Sequence, residues 1–195
     1  MIHKSDTICA LATAYGQSGI GVIRISGGLA KSISKKILHQ DLQSRYAYYG
    51  AFFDNDNNVI DKGVAIAFPG PNSYTGEDVV EFQGHGGISV IRKLLETIIS
   101  LDVRLAEPGE FTKRAFLNGK MDLVQAEAVQ DLIQSNSEES ALSAVRSLTG
   151  EFSEKVNQIL SGLVSLRVFV EATIDFSDEE IDFLESHEVS SKLHS

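Results

Sequence analysis

"DVVEFQGHGGISVIRKLLETIIS", residues 78–100, is the stretch on which the reading of this chain turns. Its first half alternates. Val79, Glu81, Gln83 and His85 fall on one side of an extended chain, and Val80 and Phe82 on the other. Its second half carries apolar residues at helical spacing, with Gly86 and Gly87 just before it. A strand that runs through glycines into an amphipathic helix implies an apolar strand face packed on helices. The polar face then holds a carboxylate, an amide and an imidazole in a row. The glycines allow close backbone approach, and a helix N-terminus attracts anions. Two readings fit that face. One is a ligand site in which Glu81 pairs with adjacent N–H donors of a heterocycle. The other is a solvent-facing strand ending in a tight turn.

The residues before this stretch add strands and one helix. "TICALAT" (7–13) and "GIGVIRIS" (19–26) are strand-like, with "AYGQS" turning between them. "GLAKSISKKILHQ" (28–40) reads as a helix with Ile33, Ile37 and Leu38 on one side. "YAYYGAFF" (46–53) and "VAIAF" (64–68) flank the turn-former cluster "DNDNN", which predicts a hairpin. Alternation in "GVIRIS" sets Val22, Arg24 and Ser26 on one face and Ile23 and Ile25 on the other. A guanidinium in an apolar strand requires a partner. That partner is either a ligand carboxylate or phosphate, met by the planar fork, or an internal carboxylate.

Beyond "EPGEF" the pattern becomes helical, and no proline follows Thr112. "DLVQAEAVQDLIQS" starts with Asp122 as N-cap and Gln125 three residues on, a capping box. From Leu142 an apolar seam continues through Val145, Leu148, Phe152, Val156, Ile159, Leu163, Leu166, Val170 and Ile174 in steps of three and four. It predicts one long helix with Gly150 inside it, and such a helix needs partner helices. Ser177 and Glu180 mark a further helix start. The expected fold class is therefore α+β, with an α+β domain over residues 1–118 and the start of an all-helical domain over 119–195. Lys120 lies at that junction, either reaching across an inter-domain cleft or standing in a surface loop.

Composition narrows the functions. Hydrophobic residues make up 43% and charged residues 23% of 195, an ordinary globular balance. No apolar run approaches the ~18 residues that a membrane span needs, and the first residues lack a signal-peptide pattern. A cytoplasmic location is expected. Net charge is −10, but "DFSDEEIDFLESHE" (175–188) holds seven of the acids and no Lys or Arg. The rest carries 17 basic against 20 acidic residues, so strong nucleic-acid binding is not expected. Cys9 is the single cysteine, which excludes an internal disulfide and a cysteine zinc cluster. The five histidines show no metal-ligand spacing, and no serine sits in a nucleophile elbow. "GHGG" is not a dinucleotide fingerprint, and no Walker A loop occurs in these residues. No catalytic residue and no metal site is expected.

Four phrases together are specific. "GIGVIRISG", "FPGPNSYTGEDVVEFQGHGG", "AEPGEFTKRAFLNGKMDLVQAEAVQDLI" and "VEATIDFSDEEIDFL" resemble, in order and over nearly the whole chain, the N-terminal part of the tRNA uridine-modification GTPase family, MnmE or TrmE. The resemblance implies a folate-binding domain similar to the aminomethyltransferase fold, then a helical domain into which a GTPase domain is inserted. It implies a homodimer formed through the N-terminal domain. It also implies a flavoprotein partner, MnmG (GidA), and tRNA as substrate of the complex, with an aminomethyl-type group added at the wobble uridine. A tetrahydrofolate derivative, 5-formyl- or 5,10-methylene-, would supply the one-carbon unit. GTP, magnesium and potassium would belong to the GTPase domain, which lies beyond these residues together with a C-terminal cysteine motif; the chain is thus expected to be a fragment. The family's folate-contacting residues match Arg24, Glu81 and Lys120, and Gln83 and His85 would line the same strand face. The alternative is a structural dimerisation and docking module that binds no folate.

Overall fold

The structure is a computed structural model and describes residues 6–175, with side chains through residue 172. The chain divides into two compact units between Met121 and Asp122.

The first unit is a six-stranded sheet with two helices, α1 and α2, packed on one face. Its elements are β1 (Ile8–Leu11), β2 (Ser18–Ser26), α1 (Ala30–Leu38), β3 (Tyr48–Phe53), β4 (Val59–Phe68), β5 (Val79–Gly86), α2 (Ile88–Ile99), β6 (Arg104–Leu105) and α3 (Glu110–Leu117). The strands lie in the order β3-β4-β5-β2-β1-β6, antiparallel except for the short parallel pairing of β1 with β6. β5 thus sits in the interior of the sheet, between β4 and β2. The hairpin around "DNDNN" forms, and β4 begins earlier than its apolar residues alone suggest, at Val59. Pairing with β3 extends it through the polar residues Asp61 and Lys62, which occupy ladder positions opposite Phe52 and Ala51.

Register fixes which side chains are buried. Ile23 faces Phe82 and Ile25 faces Val80 across β2 and β5. These four join Cys9, Ala65, Ala67 and Phe52 on the apolar face, against Ile33 and Ile37 of α1 and Ile91, Leu94 and Ile98 of α2. Phe52 and Phe82 meet edge to face at 5.3 Å. Burying a ring of this size contributes about 2–3 kcal/mol. The opposite face is covered over part of its area by the 69–78 loop and α3. Ser26 and Thr75 are buried there and share a 2.7 Å hydrogen bond. The neighbouring row, Val22, Gln83, Val64 and Tyr49 across four strands, remains partly or fully exposed.

α3 is absent from the sequence expectations. The segment "EFTKRAFL" has no clear apolar stripe, and its Glu110 and Arg114 are buried in ion pairs that reach Arg104 and Glu77.

The second unit contains α4 (Leu123–Gln134), α5 (Glu138–Leu148) and α6 (Glu151–Asp175). The capping box of α4 forms as expected: the Gln125 N–H donates to Asp122 at 2.8 Å, and the Asp122 N–H donates to the Gln125 side chain at 2.9 Å. The expected single helix from Leu142 to Ile174 does not form. It breaks at Gly150, whose φ of +89° is left-handed and outside any helix. The Thr149 N–H still reaches the Val145 carbonyl, and α6 starts afresh at Glu151. Helical spacing survives the break, so the apolar pattern alone conceals it. Phe152, Val156, Ile159 and Leu163 are exposed along α6. The expected helix start at Ser177 and Glu180 lies outside the described residues. Among those described, no helix is long and apolar enough to cross a membrane.

Candidate functional site

Arg24 and Glu81 are Cα partners in the β2–β5 ladder, so their side chains leave the same face side by side. Nε of Arg24 donates to Oε1 of Glu81 at 2.8 Å, and Nη2 lies 2.8 Å from the same oxygen as an ion pair. Oε2 has no hydrogen-bond partner among the described residues. The side chains are 26% and 15% exposed, so water reaches the pair from one side. The guanidinium lies near two rings, 5.1 Å from the centroid of Tyr74 and 5.6 Å from that of Phe111. Both distances are within cation–π range. Tyr74 comes from the 69–78 loop and Phe111 from α3, and the two elements are bridged by a 2.9 Å hydrogen bond between the Tyr74 and Thr112 hydroxyls. Of the two readings of Arg24, the structure shows the internal carboxylate: its partner is Glu81, itself one of the expected site residues.

Lys120 belongs to the turn after α3. Its backbone N–H donates to the Ala115 carbonyl at 2.8 Å, and its side chain is exposed. The stem passes close to Gly76, where an added Cβ would stand 3.3 Å from Cγ of Lys120 and 3.1 Å from Cβ of Asn118. Gly76 also has a φ of +79°, so both the backbone and the close approach favour glycine. Lys120 thus lies against the loop that carries Tyr74, and its ammonium forms no ion pair with Arg24's partner or any other described residue. This places it within the first unit, beside the loop.

Gln83 is on the same face as Glu81, between Val22 and Val64, and its amide has no partner among the described residues. His85 is on that face too but is committed elsewhere. Its backbone N–H donates to Asp61 Oδ2 at 2.7 Å, and its Nδ1 lies 2.8 Å from Asp61 Oδ1. Burial pushes the Asp61 carboxyl up, but the His85 N–H, the imidazole and the Lys62 N–H together hold it below its ordinary value. His85 lies four positions beyond Glu81, about 13 Å along the strand. The structure thus groups Arg24, Glu81 and Gln83 on one surface, brings Lys120 to its flanking loop, and sets His85 at the far end of the strand.

Sequence reasoning missed Tyr74 and Phe111. The phrase "NSYTGE" signals a turn and "GEFTK" a break, and neither indicates that an aromatic ring folds back over a strand arginine. The first unit also holds hollows of about 320 Å³, lined by Lys36, His39, Phe53 and Thr97 among others, and about 260 Å³, lined by Leu11, Ile91 and Leu105 among others. Neither includes Arg24, Glu81 or Lys120. No cluster of three or more metal-ligating side chains occurs among the described residues.

A mixed sheet with an Arg–Glu pair beside two aromatic rings on one face, and a separate unit of helices, define a two-part α+β and helical protein. Residues 7–120 match the family model described as the N-terminus of the GTP-binding protein TrmE, and residues 123–195 match the MnmE helical domain. The chain belongs to the MnmE (TrmE) family, of which it is the N-terminal region. It is 61% identical over 192 residues to the tRNA modification GTPase MnmE of Ruthia magnifica subsp. Calyptogena magnifica, covering 98% of this chain and 43% of that protein. It is 59% identical over 193 residues to that of Vesicomyosocius okutanii subsp. Calyptogena okutanii, covering 99% of this chain and 43% of that protein. The Ectopseudomonas mendocina protein of the same name is 51% identical over 193 residues. The chain spans less than half the length of these curated relatives.

Proposed function

We propose that the first unit binds a reduced folate on the face carrying Arg24 and Glu81, and that it serves a tRNA-modifying GTPase as its folate-binding and dimerisation region. The observation that carries this is the Arg24–Glu81 pair itself. Glu81 offers an unpartnered oxygen in the middle of the sheet face, near two aromatic rings. A pterin presents adjacent N–H donors on a flat ring, which suits a carboxylate flanked by aromatic side chains. The folate tail is anionic, and Lys120 supplies an unpaired cation beside the Tyr74 loop. Arg24 either stays on Glu81 and stacks on the ligand, or turns its fork to the ligand's polar groups. Gln83 adds a free amide donor and acceptor on the same face. His85, bonded to Asp61, is a more distant lining residue.

The remaining parts of the reading follow the family. The relatives are named tRNA modification GTPases. In the proposed assembly the longer protein hydrolyses GTP with magnesium and potassium, and works in the cytoplasm with the flavoprotein MnmG. It then adds an aminomethyl-type group to the wobble uridine, using a one-carbon unit from 5-formyl- or 5,10-methylenetetrahydrofolate. A likeness of the first unit to the aminomethyltransferase fold belongs to the same reading. The exposed row Val22, Val64 and Tyr49 beside the pair favours a second copy as the missing wall, and hence a homodimer through this unit. That same open face supports the second reading, a docking module without folate. Calorimetric titration with 5-formyltetrahydrofolate separates them. Saturable binding that is lost in Glu81→Ala supports the folate site, and the absence of binding by a well-folded dimer favours the docking module.

A further inference from the structure

Arg114 is nearly buried, at 8% exposure, and uses its whole guanidinium. Nη1 donates to both carboxylate oxygens of Glu77, at 3.1 and 3.3 Å, and to the Asp6 carbonyl at 2.8 Å. Nη2 donates to Asp6 Oδ1 at 2.9 Å and to Glu110 Oε1 at 3.0 Å, and Nε reaches the same Glu110 oxygen at 3.3 Å. Glu77 in turn accepts from the Ser26 hydroxyl at 2.7 Å. Three elements are joined by this chain of bonds: α3 through Arg114, the 69–78 loop through Glu77, and β2 through Ser26. They are the same three elements that bring Arg24 and the two rings together. Phe111 lies one helical turn before Arg114, Tyr74 lies three residues before Glu77, and Arg24 lies two residues before Ser26 on the same face of β2. A second path between the same parts runs through Thr75, which shares a 2.7 Å hydrogen bond with Ser26 and accepts from Asn118 in the turn after α3, but it does not reach Arg114. The Tyr74–Thr112 contact joins only the loop and α3.

We propose that Arg114 is the positioning residue of the site, a clamp that holds the Tyr74 and Phe111 rings against the Arg24 guanidinium and so shapes the surface that a flat ligand must meet. The inference rests on the folate reading for its ligand, but the clamp itself does not. A lysine at this position keeps the charge and loses the fork, and one ammonium cannot serve Glu77, Glu110 and Asp6 in the same geometry. Arg104 provides the matched comparison. It shares Asp6 and Glu110 with Arg114 and makes no bond to Glu77.

The test uses this chain with Arg114→Lys, Glu77→Gln and Arg104→Lys. Each is read by the thermal transition, by the ring-current shift on the Arg24 Nε–H resonance, and by calorimetric titration with 5-formyltetrahydrofolate well below the transition. The expected result is that Arg114→Lys and Glu77→Gln lose the Arg24 ring-current shift and weaken folate binding about tenfold, the scale of one well-placed contact. Arg104→Lys is expected to lower the transition temperature while leaving both the shift and the affinity as in the wild type. If Arg114→Lys does not fold, Glu77→Gln carries the same comparison. An unchanged Arg24 shift in a folded Glu77→Gln or Arg114→Lys overturns the clamp. So does an equal loss of affinity in Arg104→Lys, which would trace the effect to general destabilisation. A wild-type chain that binds no folate but shows the shift and its loss refutes the folate reading and leaves the clamp standing.

Discussion

Replacing Glu110 by Gln removes one charge from the network and leaves the shape of the side chain. In the native structure Glu110 accepts from Arg104 Nη2 at 2.6 Å and Nη1 at 2.8 Å, and from Arg114 and the Glu107 N–H. Arg104 is the largest influence. It outweighs the opposing effect of burial, and the carboxyl falls from its ordinary 4.5 to about 2. A shift of this size corresponds to about 3 kcal/mol of linkage. Arg104 is 44% exposed, so solvent screening reduces the realised contribution to about 1–2 kcal/mol. The sign follows from the depression. The contribution is complete above about pH 4.5 and is lost as pH falls through about 2, where the folded carboxyl takes up its proton. Glu110→Gln should therefore unfold about 1–2 kcal/mol more easily than wild type at pH 7, and the difference should shrink toward zero near pH 2. Tyrosine fluorescence in a urea titration is the assay. All five tyrosines, at 15, 46, 48, 49 and 74, lie in the first unit and the chain has no tryptophan, so the signal reports that unit alone. A difference that stays constant from pH 7 to pH 2.5, or a variant as stable as wild type at pH 7, would refute the electrostatic account of α3.

Two further outcomes follow from the core. Phe82→Ala removes a fully buried ring that packs on Phe52 and should cost about 3–5 kcal/mol in the same urea titration. Cys9 is fully buried and burial pushes its thiol up to about 11, so a disulfide reagent at pH 8 should leave the native chain unmodified and label it only after urea unfolds it.

Legibility in the sequence depended on how local the cause was. Alternation in "GVIRIS" and "VVEFQG" was enough to put Arg24, Glu81 and Gln83 on one face and Ile23, Val80 and Phe82 on the other, because strand period alone dictates it. The capping box at Asp122 was legible for the same reason, since both bonds close within four residues. The direct pairing of Arg24 with Glu81 was not, because it needs the register between strands 57 residues apart. α3 stayed hidden because its stability comes from Arg104, Asp6 and Glu77 and not from an apolar stripe. The aromatic surface beside Arg24 stayed hidden with it, for Phe111 is delivered by that helix. Apolar spacing alone keeps Gly150 inside one helix, whereas its left-handed backbone separates two. The resemblance to a family supplied what periodicity could not, namely which of several polar strand residues to examine as a site.

Binding of a reduced folate is proposed for the Arg24–Glu81 face. The most direct measurement is a two-dimensional NMR titration of this chain with 5-formyltetrahydrofolate, following the Gln83 side-chain amide and the Tyr74 and Phe111 ring resonances. The account predicts saturable shifts at these three residues with one common affinity, and none at His39 and Phe53, which stack 4.2 Å apart beside the separate hollow. Shifts confined to His39 and Phe53, or no saturable change at Gln83, Tyr74 and Phe111, would contradict it.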